Sequence, residues 1–354
     1  MKTLAINLPA FHQIPENDEW WGKGFTEWDN VRRGKPFYSG HYQPIIPLNN
    51  NYYDLSKKEN IVKQIKLAKE YDIYGFVYYH YWFGNGKKLF EKPLEIIRDD
   101  INIDYHYCLA WANETWKSTW HNEKLRTLLE QKYPGKKDWK LHIEYLLTFF
   151  KDNKYIKIDN KPVLFIYNAK QIPQYDEMIL YFSRMCEQYG FNGIYTIEYI
   201  TPQNPKLYSN ISDAVFEFEP RYTAYFDISK VNLLKRFLSK KLKRPDYQSY
   251  DKLWHYINNR TRTYEGKTIF RGCFSGWDNS ARKGRGSMIV KGKTPQKFKK
   301  YFQTFVSKNR KDASKEFCVI NAWNEWSEGA YLEPDTKDGY EYLKAIKEVM
   351  SNER

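Results

Sequence analysis

Cysteine is scarce in this sequence, and the spacing of the few cysteines excludes most cysteine-based sites. The 354 residues include 4 cysteines, Cys108, Cys186, Cys273 and Cys318, and no CxxC pair occurs. Three of them lie in apolar runs typical of strands, so we expect buried free thiols rather than disulfides. Because no HExxH or comparable ligand spacing occurs, we predict neither a metal nor another cofactor.

Long apolar runs are absent as well. No stretch reaches the roughly 18 uncharged apolar residues that a membrane-spanning helix needs. The first residues, MKTLAINLPAFHQ, are interrupted by Pro9 and carry no cleavage-site pattern of a signal peptide. These features predict a cytoplasmic protein.

Acidic residues are in the minority, since 57 Lys and Arg face 43 Asp and Glu and give a net charge of +14. Such a charge attracts anionic partners. No nucleic-acid-binding module is recognisable, so nucleic acid is not a predicted partner. Residues 230–244 combine Lys and Arg with an apolar stripe. This segment is either an outer barrel helix whose stripe packs on the sheet, or a contact with an anionic surface such as a lipid-linked glycan or the inner face of a membrane.

Eight apolar runs alternate with helical patterns along the chain. The predicted strands are Thr3–Leu8, Ile73–Tyr79, Ile103–Trp111, Pro162–Tyr167, Gly193–Glu198, Asp213–Phe218, Thr268–Cys273 and Phe317–Ala322. Such runs predict a parallel sheet covered on both faces. Eight units fit an α/β fold, a (β/α)8 TIM barrel in which residues 1–354 form a single domain with elaborated strand-to-helix loops. An open doubly wound sheet is the alternative, although no GxGxxG follows the first strand.

The helical patterns lie between these strands. One of them, which we expect Asp54 to cap, carries Ile61, Ile65 and Ala68 on its apolar face. The longest predicted helical region spans roughly 227–260.

Polar and aromatic side chains follow most of the predicted strands, where a TIM barrel builds its active site. The candidates are His12, Glu27 and Trp28 after the first strand, His80, Tyr81 and Trp82 after the second, Trp111, Asn113 and Glu114 after the third, Glu198 after the fifth, Trp277 after the seventh, and Trp323, Asn324, Glu325, Trp326 and Glu328 after the eighth. Carboxylates for proton transfer, rings for stacking and polar groups for hydroxyls are the composition of a glycosidase cleft. We therefore predict a poly- or oligosaccharide substrate. For His12, His80, Asn113, Glu114 and Glu27, a structural role is the alternative.

The strongest pattern is WNEWSEGAYLEPD, residues 323–335. Glu325 and Glu328 are three apart in the loop after the eighth strand, which lets both carboxyls face one cavity. The flanking tryptophans reduce the local polarity, and a carboxyl in such surroundings has a raised pKa and acts as an acid near neutral pH. We predict that these two residues are catalytic. Surface salt bridges with lysines are the alternative.

Several blocks give the chain a resemblance to a known group. They are AINLPAFHQIPEND, WWGKGFTEWDNV, YGFVYYHYWFGNGKKL, CLAWANETW and NAWNEWSEGAYLEPD. With these blocks the chain resembles the WbsX-like group of bacterial polysaccharide-biosynthesis proteins, which is related to the family 99 glycoside hydrolases, the endo-α-mannosidases. The blocks extend from the first predicted strand to the last, so the resemblance covers essentially the whole chain.

The resemblance implies a (β/α)8 barrel and a retaining mechanism on α-linkages. It implies that Glu325 assists the substrate 2-hydroxyl as a base, forming an epoxide-like intermediate, and that Glu328 is the general acid and then the base. Ser327 departs from the pattern, because the hydrolases carry a histidine there. That departure concerns the substrate more than the carboxylate chemistry.

The sequence is compatible with three functions. The first is a glycoside hydrolase or transglycosylase acting on a bacterial surface polysaccharide such as O-antigen or capsule. The second is a glycosyltransferase of lipopolysaccharide or capsule biosynthesis, and the third is a glycan-binding protein without catalysis. Within the first, Glu114 as acid and Glu325 as nucleophile is an alternative pairing, which requires carboxyls about 5–5.5 Å apart.

Overall fold

The computed structural model describes residues 1–118, 126–228, 236–239, 241–242, 244–310 and 316–352. Eight parallel strands form a closed barrel, as the sequence predicts. They are β1 (Lys2–Asn7), β2 (Gly75–Trp82), β3 (His106–Trp111), β4 (Lys161–Ile166), β5 (Tyr195–Ile200), β6 (Ala214–Glu217), β7 (Thr268–Phe274) and β8 (Phe317–Asn321). Closure is direct, because β1 pairs with β8 through Thr3 and Cys318 and with β2 through Ala5 and Phe76.

Helices surround the barrel and occupy its loops. They are α1 (Pro15–Trp21), α2 (Glu27–Arg32), α3 (Lys58–Glu70), α4 (Lys92–Asp99), α5 (Lys136–Phe150), α6 (Tyr175–Gln188), α7 (Arg221–Phe226), α8 (Tyr250–Asn259), α9 (Ser280–Lys283), α10 (Pro295–Asn309) and α11 (Glu341–Asn352). Short strand pairs join Trp116–Lys117 with Thr127–Leu129, Asp246–Ser249 with Met288–Lys291, and Asn324–Glu325 with Ala330–Tyr331. Lys88–Leu89 and Lys157–Ile158 pair with the barrel strands β2 and β4.

Aromatic side chains fill the barrel interior. Phe165 of β4 has its ring 5.9 Å from that of Tyr199, 5.8 Å from that of Phe216 and 5.9 Å from that of Phe270. These rings come from strands β4 to β7, and contacts of this kind add stability beyond the area they bury. The interior is therefore filled with side chains, and a substrate has space only at the ends of the barrel.

Two helix predictions are wrong in detail. The long helix over 227–260 is interrupted, because Pro245 has no amide hydrogen and Asp246–Ser249 pairs as a strand instead. Helix α8 begins afterwards, where the Ser249 hydroxyl accepts from the Lys252 amide. Asp54 does not cap α3, which begins at Lys58, because its carboxylate accepts from the Ser56 amide at 2.7 Å.

The four cysteines are free and buried, as expected. No helix in the described ranges is long and apolar enough to span a membrane. The basic segment 230–244 lies partly outside the described residues, which omit 229–235, 240 and 243. Two cavities of about 530 and 540 Å³ lie at the amino-terminal end of the barrel, beside Phe317 and Met1 respectively.

Candidate active site

The loop after β8 is a tight hairpin that holds both predicted catalytic carboxylates. Asn324–Glu325 pairs with Ala330–Tyr331, and the turn between them, Trp326–Glu328, is a 3-10 helix. Gly329 ends this turn with φ of 61°, and a Cβ on it would lie 2.8 Å from the Asp278 amide nitrogen. Only glycine fits this position without strain, and the turn keeps Glu325 and Glu328 as neighbours.

The buried carboxylate of Glu333 binds side chains of this loop and of neighbouring segments. It accepts hydrogen bonds from Trp323 Nε1 at 3.1 Å, Trp326 Nε1 at 2.7 Å, Tyr53 Oη at 2.6 Å and Gln64 Nε2 at 2.8 Å. Burial raises the pKa of Glu333 to about 7, although the four donors act in the opposite direction. The two predicted tryptophans therefore bind the carboxylate of their own loop through their indole nitrogens.

Glu325 lies in surroundings that favour its protonated form. Its side chain is buried, with 8% of the residue exposed, and its Oε2 has no hydrogen-bond partner among the described residues. Burial, the charge of Glu328 and the charge of Glu27 raise the pKa of Glu325 well above its ordinary value, whereas the charge of Arg282 acts to lower it. A carboxyl of this kind is able to hold a proton near neutral pH.

Glu328 forms an ion pair with an arginine from the neighbouring loop. Arg282 Nη1 donates to Glu328 Oε1 at 3.0 Å. The two loops are tied by the backbone as well, because the Asp278 amide donates to the Glu328 carbonyl at 2.7 Å. Arg282 belongs to α9, which follows β7, so the loops after β7 and β8 meet at this carboxylate.

Glu27 joins the cluster from the loop after β1. A capping box between Thr26 and Asp29 begins α2 at this residue. The Ser327 hydroxyl donates to Glu27 Oε1, and Asn30 Nδ2 donates to Glu27 Oε2 at 3.0 Å. Ser327 therefore links Glu27 to the loop after β8.

Four tyrosines lie around the carboxylates. Burial, followed by nearby charges, raises the pKa of each phenol. The charge of Glu325 acts on all of them: Tyr79, Tyr81, Tyr167 and Tyr199. They come from β2, β5 and the end of β4, so four phenol groups lie within electrostatic range of Glu325.

Glu114 reaches the same region from the loop after β3. It is half-buried, and its charge neighbours are Arg221, Lys283 and Glu328. Burial is the main reason that the pKa of Glu114 is raised, and the two cations oppose it. The structure thus brings Glu27, Tyr81, Glu114, Glu325 and Glu328 together among the predicted site residues.

Three predicted residues face the helical layer instead. Side chains of a strand alternate between its faces, so Tyr79 and Tyr81 point inward while His80 and Trp82 point outward. His80 Nε2 lies 2.9 Å from His142 Nε2 of α5, and the Trp82 indole donates to Asp138 at 3.2 Å. Trp111 packs against the same His142 ring, with centroids 4.6 Å apart, and donates to the Trp82 carbonyl at 3.0 Å.

Other predicted residues hold backbone segments in place. The bonds are His12 Nδ1 to the Pro9 carbonyl, 3.1 Å; Trp28 Nε1 to the Tyr53 carbonyl, 2.7 Å; Asn113 Nδ2 to the Asn168 carbonyl, 2.8 Å; Asn324 Nδ2 to the Leu8 carbonyl, 3.0 Å; and the Tyr208 and Ser209 amides to Glu198, 2.8 and 3.0 Å. Trp277 is buried near Phe218, with ring centroids 6.4 Å apart, and its indole Nε1 has no hydrogen-bond partner among the described residues.

In the described part of the chain, no group of three or more His, Cys, Asp or Glu side chains is arranged to hold a metal ion. The groups that meet at this site are carboxyl, phenol and cationic side chains.

Comparison with known proteins identifies the family. The family described as Glycosyltransferase WbsX matches residues 3–346. The chain belongs to this family. Two relatives from two strains of Xanthomonas campestris pv. campestris, each called uncharacterized protein WxcX, are 31% identical to this chain over 352 residues. The match covers 98% of this chain and 49% of each relative, so the chain spans about half the length of the curated relatives it matches.

Solved structures share the fold of this WbsX chain. The GH99 endo-alpha-mannosidase of Bacteroides thetaiotaomicron has a TM-score of 0.59 at 11% identity, covering 99% of this chain and 96% of the mannosidase. A protein described as glycoside hydrolase-like has a TM-score of 0.60 at 15% identity, covering 98% of this chain and 93% of its own. At such identities the likeness shows the barrel fold alone.

Proposed function

We propose that this protein is a retaining glycoside hydrolase or transglycosylase that acts on a bacterial surface polysaccharide, an O-antigen or a capsule. The observation that supports this most is the carboxylate pair. Glu325 and Glu328 lie in one rigid turn at the carboxyl end of the barrel, one buried and one ion-paired, with phenol groups around them. Paired carboxyls in unequal surroundings supply the acid and the base of glycoside hydrolysis.

The proposed reaction needs one proton on this pair. One carboxylate takes the proton of the substrate 2-hydroxyl while that oxygen attacks the anomeric carbon, and the other carboxyl protonates the leaving oxygen. The family resemblance gives the first role to Glu325 and the second to Glu328. Glu328 is paired with Arg282, so this division requires that substrate binding loosen the ion pair and shift the proton to Glu328.

The alternative pairing of Glu114 with Glu325 has less support. The charges acting on Glu325 are those of Glu328, Arg282 and Glu27, whereas Glu114 has Glu328 and two cations as its neighbours. We therefore assign Glu114 to substrate binding rather than to proton transfer.

A glycosyltransferase is the second candidate, because the family description carries that word. The decisive assay incubates the purified protein with the surface polysaccharide and its lipid-linked precursor, without nucleotide sugar, and identifies products by mass spectrometry. Shortened or rearranged chains support the hydrolase proposal. Chain extension that occurs only after nucleotide sugars are added supports the transferase, and binding without turnover under either condition supports a glycan-binding protein.

The same assay tests the catalytic pair. We expect Glu328→Gln to lower turnover at least about 100-fold, since a general acid typically contributes that much. Glu348→Gln is the matched control, because Glu348 lies on α11 with its side chain 54% exposed and paired with Lys299. The unfolding temperature of each variant shows whether the fold is kept. Full turnover in a folded Glu328→Gln protein would remove Glu328 from the mechanism.

We also propose that the basic segment contacts an anionic membrane. Among its described residues Phe237, Leu238 and Leu242 are exposed by 64%, 45% and 60%. Exposed apolar side chains among lysines and arginines favour adsorption to anionic lipid. Replacing these three residues by serine should reduce co-flotation with vesicles containing phosphatidylglycerol, whereas replacing the exposed Leu141 and Leu180 of other helices should not. Equal flotation of both triple and double variants would contradict the contact.

A further inference from the structure

Three cationic side chains surround the carboxylates at the carboxyl end of the barrel. Arg221 is the first residue of α7, directly after β6, and Arg282 and Lys283 end α9, which follows β7. The segments that follow the neighbouring strands β6 and β7 therefore place cations at the same end of the barrel. Arg282 reaches Glu328 at 3.0 Å, and both Arg221 and Lys283 lie close enough to Glu328 and Glu114 for the charges to interact.

Two of these cations have no ion-pair partner in the part of the chain that the structure describes. Among the described residues, no carboxylate lies within 4.0 Å of Arg221 or Lys283, although each lies in a cluster that contains carboxylates. Arg221 is half-buried and donates to Gln203 at 3.4 Å, and Lys283 is exposed. Their charges are therefore available to a ligand.

Arg260 differs from Arg221, because three carboxylates lie within ion-pair distance of it. Arg260 is enclosed by Glu217 at 2.8 Å, Glu219 at 2.8 Å and Asp227 at 2.6 Å. These three carboxylates pair the charge of Arg260 within the barrel wall. Arg221 has no such set of acids around it, so packing does not explain its charge.

An anionic group on the substrate would explain why Arg221 and Lys283 lie at this site. A neutral sugar that covers Arg221 and Lys283 removes their charges from water without providing a partner, which is unfavourable. A carboxylate or phosphate on the sugar provides that partner, and arginine binds both in a two-point geometry. Such an anion also competes with Glu328 for Arg282, which would free Glu328 for proton transfer.

We propose that the substrate is an acidic glycan whose anionic substituent, a uronic acid carboxylate or a phosphate, is held by Arg221, Arg282 and Lys283. This inference rests on the proposed function, since it names the substrate class of the same site. It assigns to the three cations a role in substrate specificity.

The test is a binding measurement with a protein that is unable to turn the substrate over. Calorimetric titration of the Glu325→Gln protein uses the surface polysaccharide in three forms: native, carboxyl-reduced and dephosphorylated. We expect one of the two treatments to weaken binding at least about 10-fold, as the loss of charge-assisted hydrogen bonds should. The treatment that does so identifies the anion as carboxylate or phosphate. Binding of the native form should also weaken as salt is raised.

Substitutions locate the anion on the protein. Adding Arg221→Gln or Lys283→Gln to the Glu325→Gln protein should remove most of its preference for the native form, whereas Lys63→Gln, an exposed lysine on α3, should leave it intact. Equal binding of all three forms would overturn the acidic-glycan inference and leave the glycosidase proposal standing. An absence of binding to every form would overturn both.

Discussion

Glu333 holds the loop after β8 through hydrogen bonds from Trp323 and Trp326. Because its pKa is raised from 4.5 to about 7, the folded protein holds a proton that the unfolded chain has released between those values. The unfolded chain then binds fewer protons, and stability falls as pH rises from about 4.5 to about 7. We expect Glu333 to contribute a loss of about 2 kcal/mol between pH 5 and pH 7.5.

Urea unfolding of the wild type and of Glu333→Gln at the two pH values measures this contribution. The variant does not titrate at this position, so its deficit relative to the wild type should be larger at pH 5 than at pH 7.5. It also loses acceptors for the indoles of Trp323 and Trp326, which should lower turnover at both pH values. A deficit that is independent of pH would contradict the raised pKa of Glu333.

At the level of elements, the turn after β8 depends on the glycine that ends it. Gly329 has φ of 61°, and an added Cβ would meet the backbone and side chain of Asp278 at 2.8 to 3.1 Å. Gly329→Ala should therefore move the loop away from α9 and cost about 1–3 kcal/mol of stability. The Arg282–Glu328 pair spans this contact, so turnover should fall with it.

Gly286→Ala is the matched control for this prediction. A Cβ on Gly286 meets no atom within 4 Å, and its φ is not in the left-handed region. We expect wild-type unfolding temperature and turnover for this variant. If Gly329→Ala behaves in the same way, the turn does not position the carboxylates.

The elements also show what a sequence is able to predict. Strand positions follow from apolar runs, and all eight were predicted within a few residues, because burial on both faces leaves a continuous signal. The direction of each side chain needs the register: His80 and Trp82 were assigned to the cleft, yet alternation directs them to α5, while Tyr79 was overlooked.

The position of Arg282 beside Glu328 is not predictable from the sequence, for a different reason. Arg282 meets Glu328 across 46 residues of sequence, because two loops pack against each other at the end of the barrel. A charge in a loop has no periodicity and no local partner, so only closure of the barrel reveals its neighbour. That Glu325 and Glu328 lie close together is predictable, since a dense local motif of Trp, Asn and Glu carries both of them.

At the scale of the whole molecule, closure of the barrel determines which charges act on the pKa of Glu325. The charges that act on Glu325 come from three separate loops: Glu27 after β1, Arg282 after β7 and Glu328 after β8. The proposed reaction requires one proton on the Glu325–Glu328 pair, so the rate should be bell-shaped in pH, with its alkaline limb where the last proton leaves.

Changing the distant charges should move that limb in opposite directions. Glu27 raises the pKa of Glu325, so Glu27→Gln should shift the alkaline limb of kcat/KM to lower pH. Arg282 lowers that pKa, so Arg282→Gln should shift the limb to higher pH. A merely structural role of either residue would lower the rate without moving the limb. Shifts in these opposite senses would show that one proton, held jointly by loops from both ends of the chain, governs turnover.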